Sequence, residues 1–446
     1  MKNPIKVLLL FSITLSFAQE SPTNLSLDEA IDYALKNNRQ SMNAARDIDA
    51  AKQQKWETTA SGLPQISASV DYQNFLKQQV QVVPAEFFGG MPGEFEEVIF
   101  GTKQSVNAFA TLSQKIFDGS YLVGLQSAKV FLDISKNAKT KTDLEVRKGV
   151  IDAYGNVLLA EESVAILKRN ITVLEKNLFE TTKIYENGLE EEESVEQLQI
   201  TLSGVQSSLN NTERLRTLAY QMLNITLGLE VDNNLVLTDN LKSLTTQNIS
   251  LNFLNTETSP ENTIDYLIAQ NDTEAKALMV KLEQSKALPT LNAFINGGYS
   301  GFSDEFTFTE SSQPWFGSSL VGVNLSIPIF SSGMRSASTQ RAKINFEKAK
   351  TDLIETEQNI KFQIKAAKSD YQFAIEDYEN KQENLELAKR IETKNQTKFF
   401  EGVSSSFELR QAQTQLYAAQ QEFLQAMLNV INSKAQLETV LNTPIN

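Results

Sequence analysis

The chain has 446 residues, room for two or three ordinary domains, yet it contains neither Cys nor His. Those two absences exclude thiol nucleophiles, Cys/His metal sites and histidine acid–base chemistry; an enzyme would need an Asp/Glu pair or a Ser/Lys arrangement, no such constellation stands out, and neither a cofactor nor an enzymatic activity is expected. A formal net charge of −14 argues against nucleic-acid binding, which needs a basic footprint.

Residues 1–18 read as a secretory signal. Lys2 and Lys6 supply the positive region, Val7 to Phe17 the apolar core, and Ser16-Phe17-Ala18 a small-x-small cleavage site before Gln19. This run is too short to span a bilayer, and no later stretch approaches the ~20 apolar residues of a transmembrane helix. If the mature chain crosses a membrane, it does so with strands.

The first repeat is expected over 19–229. A helix over 27–62 opens with the capping box Ser26-Leu27-Asp28-Glu29, pauses at Asn37-Asn38, and stops at Leu63-Pro64. The period then changes to two, with Ile66, Ala68, Val70 and Tyr72 alternating with Ser67, Ser69, Asp71 and Gln73. That strand, about 65–75, has the length of a tilted transmembrane strand. A Gly/Pro/Phe-rich loop follows from Lys77 to Lys103, then a second strand over about 105–116, where Phe109 interrupts the polar face. Phe117-Asp118-Gly119, with Asp118 as cap, leads into a long helix over about 120–187. Its length would be roughly 100 Å. Gly188 ends it, and a return helix over about 194–228 is read to start from a capping box of Ser194 and Gln197.

Within the long helix, Val146, Val150, Ala153, Val157, Ala160, Val164, Leu167, Ile171, Leu174 and Leu178 step alternately by four and three. This period keeps one apolar seam on a neighbouring helix and imposes supercoiling. A second seam runs through Ile360, Ile364, Ala367, Tyr371, Ala374, Tyr378, Lys381, Leu385 and Ala388. Lys381 there is either a register device or a lumen-facing charge.

Residues 230–262, rich in Asn, Thr and Ser, read as a linker or a small side-packed (equatorial) element. The pattern then repeats over 263–446: helix 264–287, strands about 290–300 and 318–329, long helix about 334–400, and return helix about 406–441. Pro64 and Pro289 are 225 residues apart, whereas Gly119 and Gly333, and Gly188 and Gly402, are each 214 apart. The difference falls wholly between the strands, so the first inter-strand loop is the longer one.

The fold class is therefore an α+β membrane protein built from a duplicated helix–β-hairpin–long helix–helix unit. It has four transmembrane strands per chain. Four strands cannot close, and an open edge in a bilayer leaves backbone groups unsatisfied. Two chains would give a filled barrel, and three are the fewest that leave room for water. Ile66, Val70, Tyr72, Val323 and Leu325 would face lipid, and Ser67, Asp71, Gln73 and Asn292 the lumen. Asp71 could equally be a solvated strand end. Tyr72, Tyr299 and Trp315 read as membrane-interface aromatics.

The ordered set of Leu25-Ser26-Leu27-Asp28-Glu29-Ala30-Ile31, the Leu-Pro-initiated strands, Phe117-Asp118-Gly119, Phe330-Ser331-Ser332-Gly333 and the glycine-ended tips resembles the TolC-type outer membrane efflux proteins. The resemblance covers nearly all of the mature chain. It implies a homotrimer whose 12-stranded β-barrel in the outer membrane continues into a long periplasmic α-helical coiled-coil barrel. It also implies a duct of a tripartite efflux or type I secretion system, working with a periplasmic adaptor and an inner-membrane pump. Small molecules or polypeptides would pass through it without chemical change.

By that resemblance the turns Tyr185-Glu186-Asn187-Gly188-Leu189 and Phe399-Phe400-Glu401-Gly402-Val403 would face the adaptor. Tyr185, Gly188, Leu189, Phe399, Gly402 and Val403 are then the docking residues. Glu408 matches the first acid of the family's aperture ring. Gln411 stands where a second acid is expected, and Ser404 where relatives carry an arginine. Glu190, Glu191, Glu192 and Glu193 would add carboxylates around the same mouth. A plainer reading also holds for these acids, because Glu408 lies three residues past Ser405 and the four-Glu run precedes a helix. The competing function is an exported coiled-coil structural or adhesive surface protein, which explains the heptads but not the paired amphipathic strands.

Overall fold

The computed structural model describes residues 24–250, 254 and 259–442; the secretory signal read at 1–18 lies outside the described residues. These residues divide into two compact units. One takes in the described residues up to Ala45, Lys139–Ile264 and the chain from Gln358 onward; the other is Arg46–Ala138 with Asp265–Glu357. Among the described residues, no helix is long and apolar enough to cross a membrane.

In chain order the elements are β1 (Asn24–Leu25), α1 (Leu27–Asn37), α2 (Arg39–Ala60), β2 (Gln65–Asn74), β3 (Val80–Pro84), β4 (Phe95–Ile99), β5 (Gln104–Phe117), α3 (Gly119–Glu186) and α4 (Glu192–Leu227). Then come β6 (Val236–Leu237), α5 (Leu241–Asn248), α6 (Ile264–Ser285), β7 (Thr290–Ser303), β8 (Trp315–Ser326), α7 (Met334–Phe400) and α8 (Ser406–Leu441).

The second unit is built on an antiparallel sheet of order β2-β5-β7-β8, so β2 and β8 are both open edges. Directly opposed residues share a face. Ile66, Val70 and Tyr72 line up with Leu112, Ala108 and Val106, then Ile295 and Tyr299, then Val321 and Gly317. On the edge strands this face is open, with Val70 72 % and Val321 77 % exposed, while Val106, Ala108 and Leu112 of β5 are half-buried. On the other face the strands carry Ser67, Asp71 and Gln73, then Thr111 and Asn107, then Asn292, Asn296 and Ser300. Two side-chain bonds stitch it: Asn296 Nδ2 donates to Thr111 Oγ1 and Ser300 Oγ to Asn107 Oδ1, each at 2.7 Å.

Phe109, which breaks the polar alternation, stands opposite Gly298, and Phe294 opposite Gly322. A Cβ on Gly298 would lie 2.7 Å from the Phe109 ring, and one on Gly322 would lie 2.6 Å from that of Phe294. Each ring therefore lies over the bare backbone of its partner, so the aromatic exceptions and the strand glycines are one device.

Strand ends differ from the periodicity. β7 runs on to Ser303 because Ser303 still pairs with Gln104. β8 starts at Trp315 and not at about 318, since Trp315 pairs with Gly301. It ends at Ser326, just before Pro328, which has no amide to donate. The Lys77–Lys103 segment, expected as plain loop, contains the β3–β4 hairpin.

In the first unit the heptad seams form two helical hairpins. Leu174 is fully buried against Leu198 and Val205 of α4, with Leu167, Ile171, Leu178 and Leu202 around them. Leu385 and Ala388 of α7 pack on Leu416, Ala419 and Phe423 of α8. Tyr417 belongs to both clusters and joins the hairpins. Lys381 pairs with Glu422 of α8 at 2.9 Å, so it acts as a cross-helix contact within its own hairpin.

The helix expected over 27–62 is broken at Asn38, whose backbone turns extended. Its Nδ2 donates to the carbonyl of Thr226 at 2.7 Å, at the end of α4. There Gly228 has φ +86, and a Cβ on it would fall 2.2 Å from the Asn37 carbonyl. Residues 236–248 pack at this level: β6 pairs in parallel with β1, and Asp239 accepts from Leu27 N (2.7 Å) and from Tyr154 Oη (2.9 Å). Burial, and then the bond to Asp239, push the Tyr154 hydroxyl well above the usual tyrosine range, keeping it a donor.

Candidate functional site

The residues singled out in the sequence fall in two places, the hairpin tips and the sheet. At the first tip, α3 ends with Gly188 at φ +74. Gly188 N donates to Tyr185 O (2.8 Å) and Leu189 N to Ile184 O (3.1 Å). This is a Schellman motif, and it needs a left-handed residue where Gly stands. The second tip repeats it: Gly402 has φ +72, with Gly402 N bonded to Phe399 O (3.0 Å) and Val403 N to Lys398 O (2.9 Å).

The tips differ in how the next helix starts. Ser405 and Glu408 form a complete capping box: Glu408 N donates to Ser405 Oγ (3.3 Å) and Ser405 N to Glu408 Oε2 (3.1 Å). Ser404 Oγ also donates to that carboxylate. The Ser404 hydroxyl, then the Ser405 amide, hold the Glu408 carboxyl below the usual carboxylate range. At the first tip no such box forms. The N-cap of α4 is Glu191, without a side-chain bond, and the helix begins two residues before Ser194. Ser194 is instead buried, and its hydroxyl bridges the Glu190 carboxylate and the Ser406 hydroxyl (2.9 Å), tying one tip to the other. The expected Ser194–Gln197 box fails because Ser194 already lies inside the helix.

The six docking candidates separate by burial. Leu189 and Val403 are open at 78 % and 73 %, and Tyr185 is partly open. Phe399 is 5 % exposed and packs edge-on against Phe400, so its ring fills the hairpin end instead of facing outward. Glu191, Glu192, Glu193, Glu408 and Gln411 are exposed, and Glu190 is half-buried by its bond to Ser194. Among the described residues, no carboxylate cluster could hold a metal ion.

Sequence reasoning missed a second heptad beside the apolar seam. Ser163, Asn170 and Asn177 on α3 and Ser406, Gln413 and Gln420 on α8 recur every seven residues. Asn170 Nδ2 donates to Gln420 Oε1 at 2.8 Å, and Gln396 Nε2 of α7 donates to Asn177 Oδ1 at 3.0 Å. Nearer the tip Gln413 is 1 % exposed, and both its side-chain polar atoms lack a protein partner, as does Thr181 Oγ1. The seven-residue spacing of amides was the available signal, masked by the stronger hydrophobic one.

In the sheet, Ser67, Asp71, Gln73 and Asn292 share one face, opposite Ile66, Val70, Tyr72, Val323 and Leu325. All four helix connections, at Gln65, Phe117, Thr290 and Ser326, lie at one end of this sheet. At the opposite end Tyr72 meets Phe306 and Phe308 edge-on, with ring centroids 5.9 and 6.1 Å apart.

An amphipathic sheet with open edges and heptad-paired helical hairpins in one chain fit the class of membrane proteins that cross the bilayer with strands. A sequence model of the family described as "Outer membrane efflux protein" matches residues 30–229 and 267–443. The chain belongs to that family of outer membrane channels. It is similar to the outer membrane protein TolC of Vibrio cholerae, with 22 % identity over 421 residues covering 94 % of this chain and 91 % of the relative. Its fold is similar to that of CusC, with a TM-score of 0.75 at 18 % identity over 96 % of both chains. It is also similar to VceC of Vibrio cholerae, with a TM-score of 0.71 at 15 % identity over 94 % of this chain and 96 % of that one. CmeC of Campylobacter jejuni gives a TM-score of 0.71 at 18 % identity, over 96 % and 90 %.

Proposed function

We propose that three copies of this chain form a passive export duct in the outer membrane. It would be the outer component of a tripartite efflux or type I secretion system with a periplasmic adaptor and an inner-membrane pump. The observation that carries this reading is the sheet: one lipid-compatible face, one polar face, and both edges unpaired. Such edges must be satisfied by other copies before the sheet can reside in a bilayer. Twelve strands close around a polar lumen lined by Ser67, Asp71, Gln73 and Asn292, and the apolar face meets lipid.

The hairpin tips form the periplasmic mouth. Leu189 and Val403, the most open apolar residues of the two turns, are the contacts offered to the adaptor, and Gly188 and Gly402 set the turn shape. Glu190 to Glu193, Glu408 and the neutral Gln411, repeated in each copy, make the mouth acidic and favour cations. Reconstitution into planar bilayers tests the duct: discrete conductance steps from a trimer-sized particle are expected, and their absence overturns it. The acidic mouth has its own test. Replacing Glu190–Glu193 together by Ala should weaken cation selectivity and divalent block; unchanged values would remove that role.

A further inference from the structure

A charged cleft lies within the first unit, away from the hairpin tips. It has a volume of about 210 Å³ and is formed by the start of α1, α3 near Arg147, residues 239–248 and the C-terminal part of α8. Three carboxylates, Asp28, Asp239 and Glu438, and two cations, Arg147 and Lys434, line it. Buried Ile151, Leu244 and Ile431 back it, so its charges act across little water. Glu438 is 3 % exposed, and its Oε2 accepts from Arg147 Nη1. Lys434 is less well served. Its side chain is only 12 % exposed, and its ammonium donates to no acceptor among the described residues. The carboxylate oxygen beside it, Glu438 Oε1, stands at 3.8 Å, beyond hydrogen-bond reach. Asp239 is half satisfied: both its side-chain bonds, from Leu27 N and Tyr154 Oη, fall on Oδ2, so Oδ1 has no donor among the described residues.

A largely buried ammonium without an acceptor and a carboxylate oxygen without a donor, in one cleft, are matched by a ligand that supplies both. The charge balance narrows its chemistry. With three acids against two bases, the cleft disfavours phosphate and other polyanions, which would gain Lys434 but face Asp28 and Asp239. A simple cation would leave Lys434 unmet. The volume is below the roughly 300–1,000 Å³ of drug-sized sites, so the ligand is small.

We propose that this cleft binds a small amino acid as its zwitterion, the carboxylate on Lys434 and the ammonium on Asp239 and Asp28. Gln247 of α5 lines the same cleft, so the bound ligand ties α5 to α1 and α8. The cleft lies within one copy, so the purified protein in detergent tests it whatever its assembly. Isothermal titration with L-alanine should show saturable binding, and hydrogen exchange in residues 241–248 should slow with it. Acetate and methylammonium, which carry the two charges singly, should each bind about tenfold more weakly or worse. Lys434→Gln should lower the alanine affinity by a similar factor. If that variant does not fold, Asp28→Asn, at the exposed start of α1, decides by the same comparison. Three results each overturn the proposal: no saturable alanine binding, acetate or methylammonium binding as tightly as alanine, or full alanine affinity in the folded variant.

Discussion

Gly228 and Gly402 adopt the same left-handed backbone but meet different surroundings. A Cβ added to Gly402 would find nothing within 4 Å, so Gly402→Ala carries only the backbone penalty, about 1 kcal/mol. At Gly228 the added carbon would also strike the Asn37 carbonyl at 2.2 Å, and backbone cannot swing aside as a side chain can. Gly228→Ala should therefore lower the melting temperature far more than Gly402→Ala, as thermal unfolding in detergent would show. Two glutamates of the second hairpin respond to pH in opposite senses. Glu408 is held below its ordinary range by Ser404 and Ser405, so its contribution is complete above that range and is lost as pH falls through the lowered value. Glu392, half-buried, is pushed up by desolvation, so its ionisation costs stability as pH rises through the raised value. Glu392→Gln should raise the melting temperature at neutral pH, with the gain vanishing in acid, where the native carboxyl is already protonated.

At the scale of elements, the two seams hold the hairpins and the amide heptad weakens them locally. Leu174→Ala empties a fully buried position and should cost about 2–5 kcal/mol. Gln413→Leu removes two buried polar atoms that have no protein partner. It should stabilise the tip by about 1–3 kcal/mol, read as slower hydrogen exchange in α8 near its start. The helices and strands were legible because periods of 3.5 and two are written by burial on one face; both long helices follow theirs apart from Lys381, and the sheet strands follow theirs apart from aromatic exceptions such as Phe109 and Phe294. The tips were legible as turns, since Gly188 and Gly402 answer a local backbone demand. What could not be read depends on partners distant in sequence. Ser194 looked like a cap, but its hydroxyl is claimed by Ser406; Phe109 looked like an interruption, but its ring covers Gly298; and the β3–β4 pairing has no strict alternation to announce it.

For the whole molecule, the duplication explains the architecture. Each repeat supplies one strand hairpin to the sheet and one helical hairpin to the packed helices. On the proposed reading, function resides in a passage and its two ends. If three copies make that passage, gels should show a band that runs as a trimer unheated and as a monomer after boiling. A band of monomer size under both conditions would contradict it.

The two bare sheet edges also govern how the protein reaches its membrane. A lone chain presents two rows of unmet amides and carbonyls beside an apolar face, so it has no favourable way to enter a bilayer by itself. Insertion is then tied to encounter between chains, and its rate must climb steeply with their concentration. A single-chain barrel would insert at a rate simply proportional to its amount. On the three-copy reading, until the third partner arrives each copy is a sticky, edge-exposed species whose survival depends on being held apart from its neighbours.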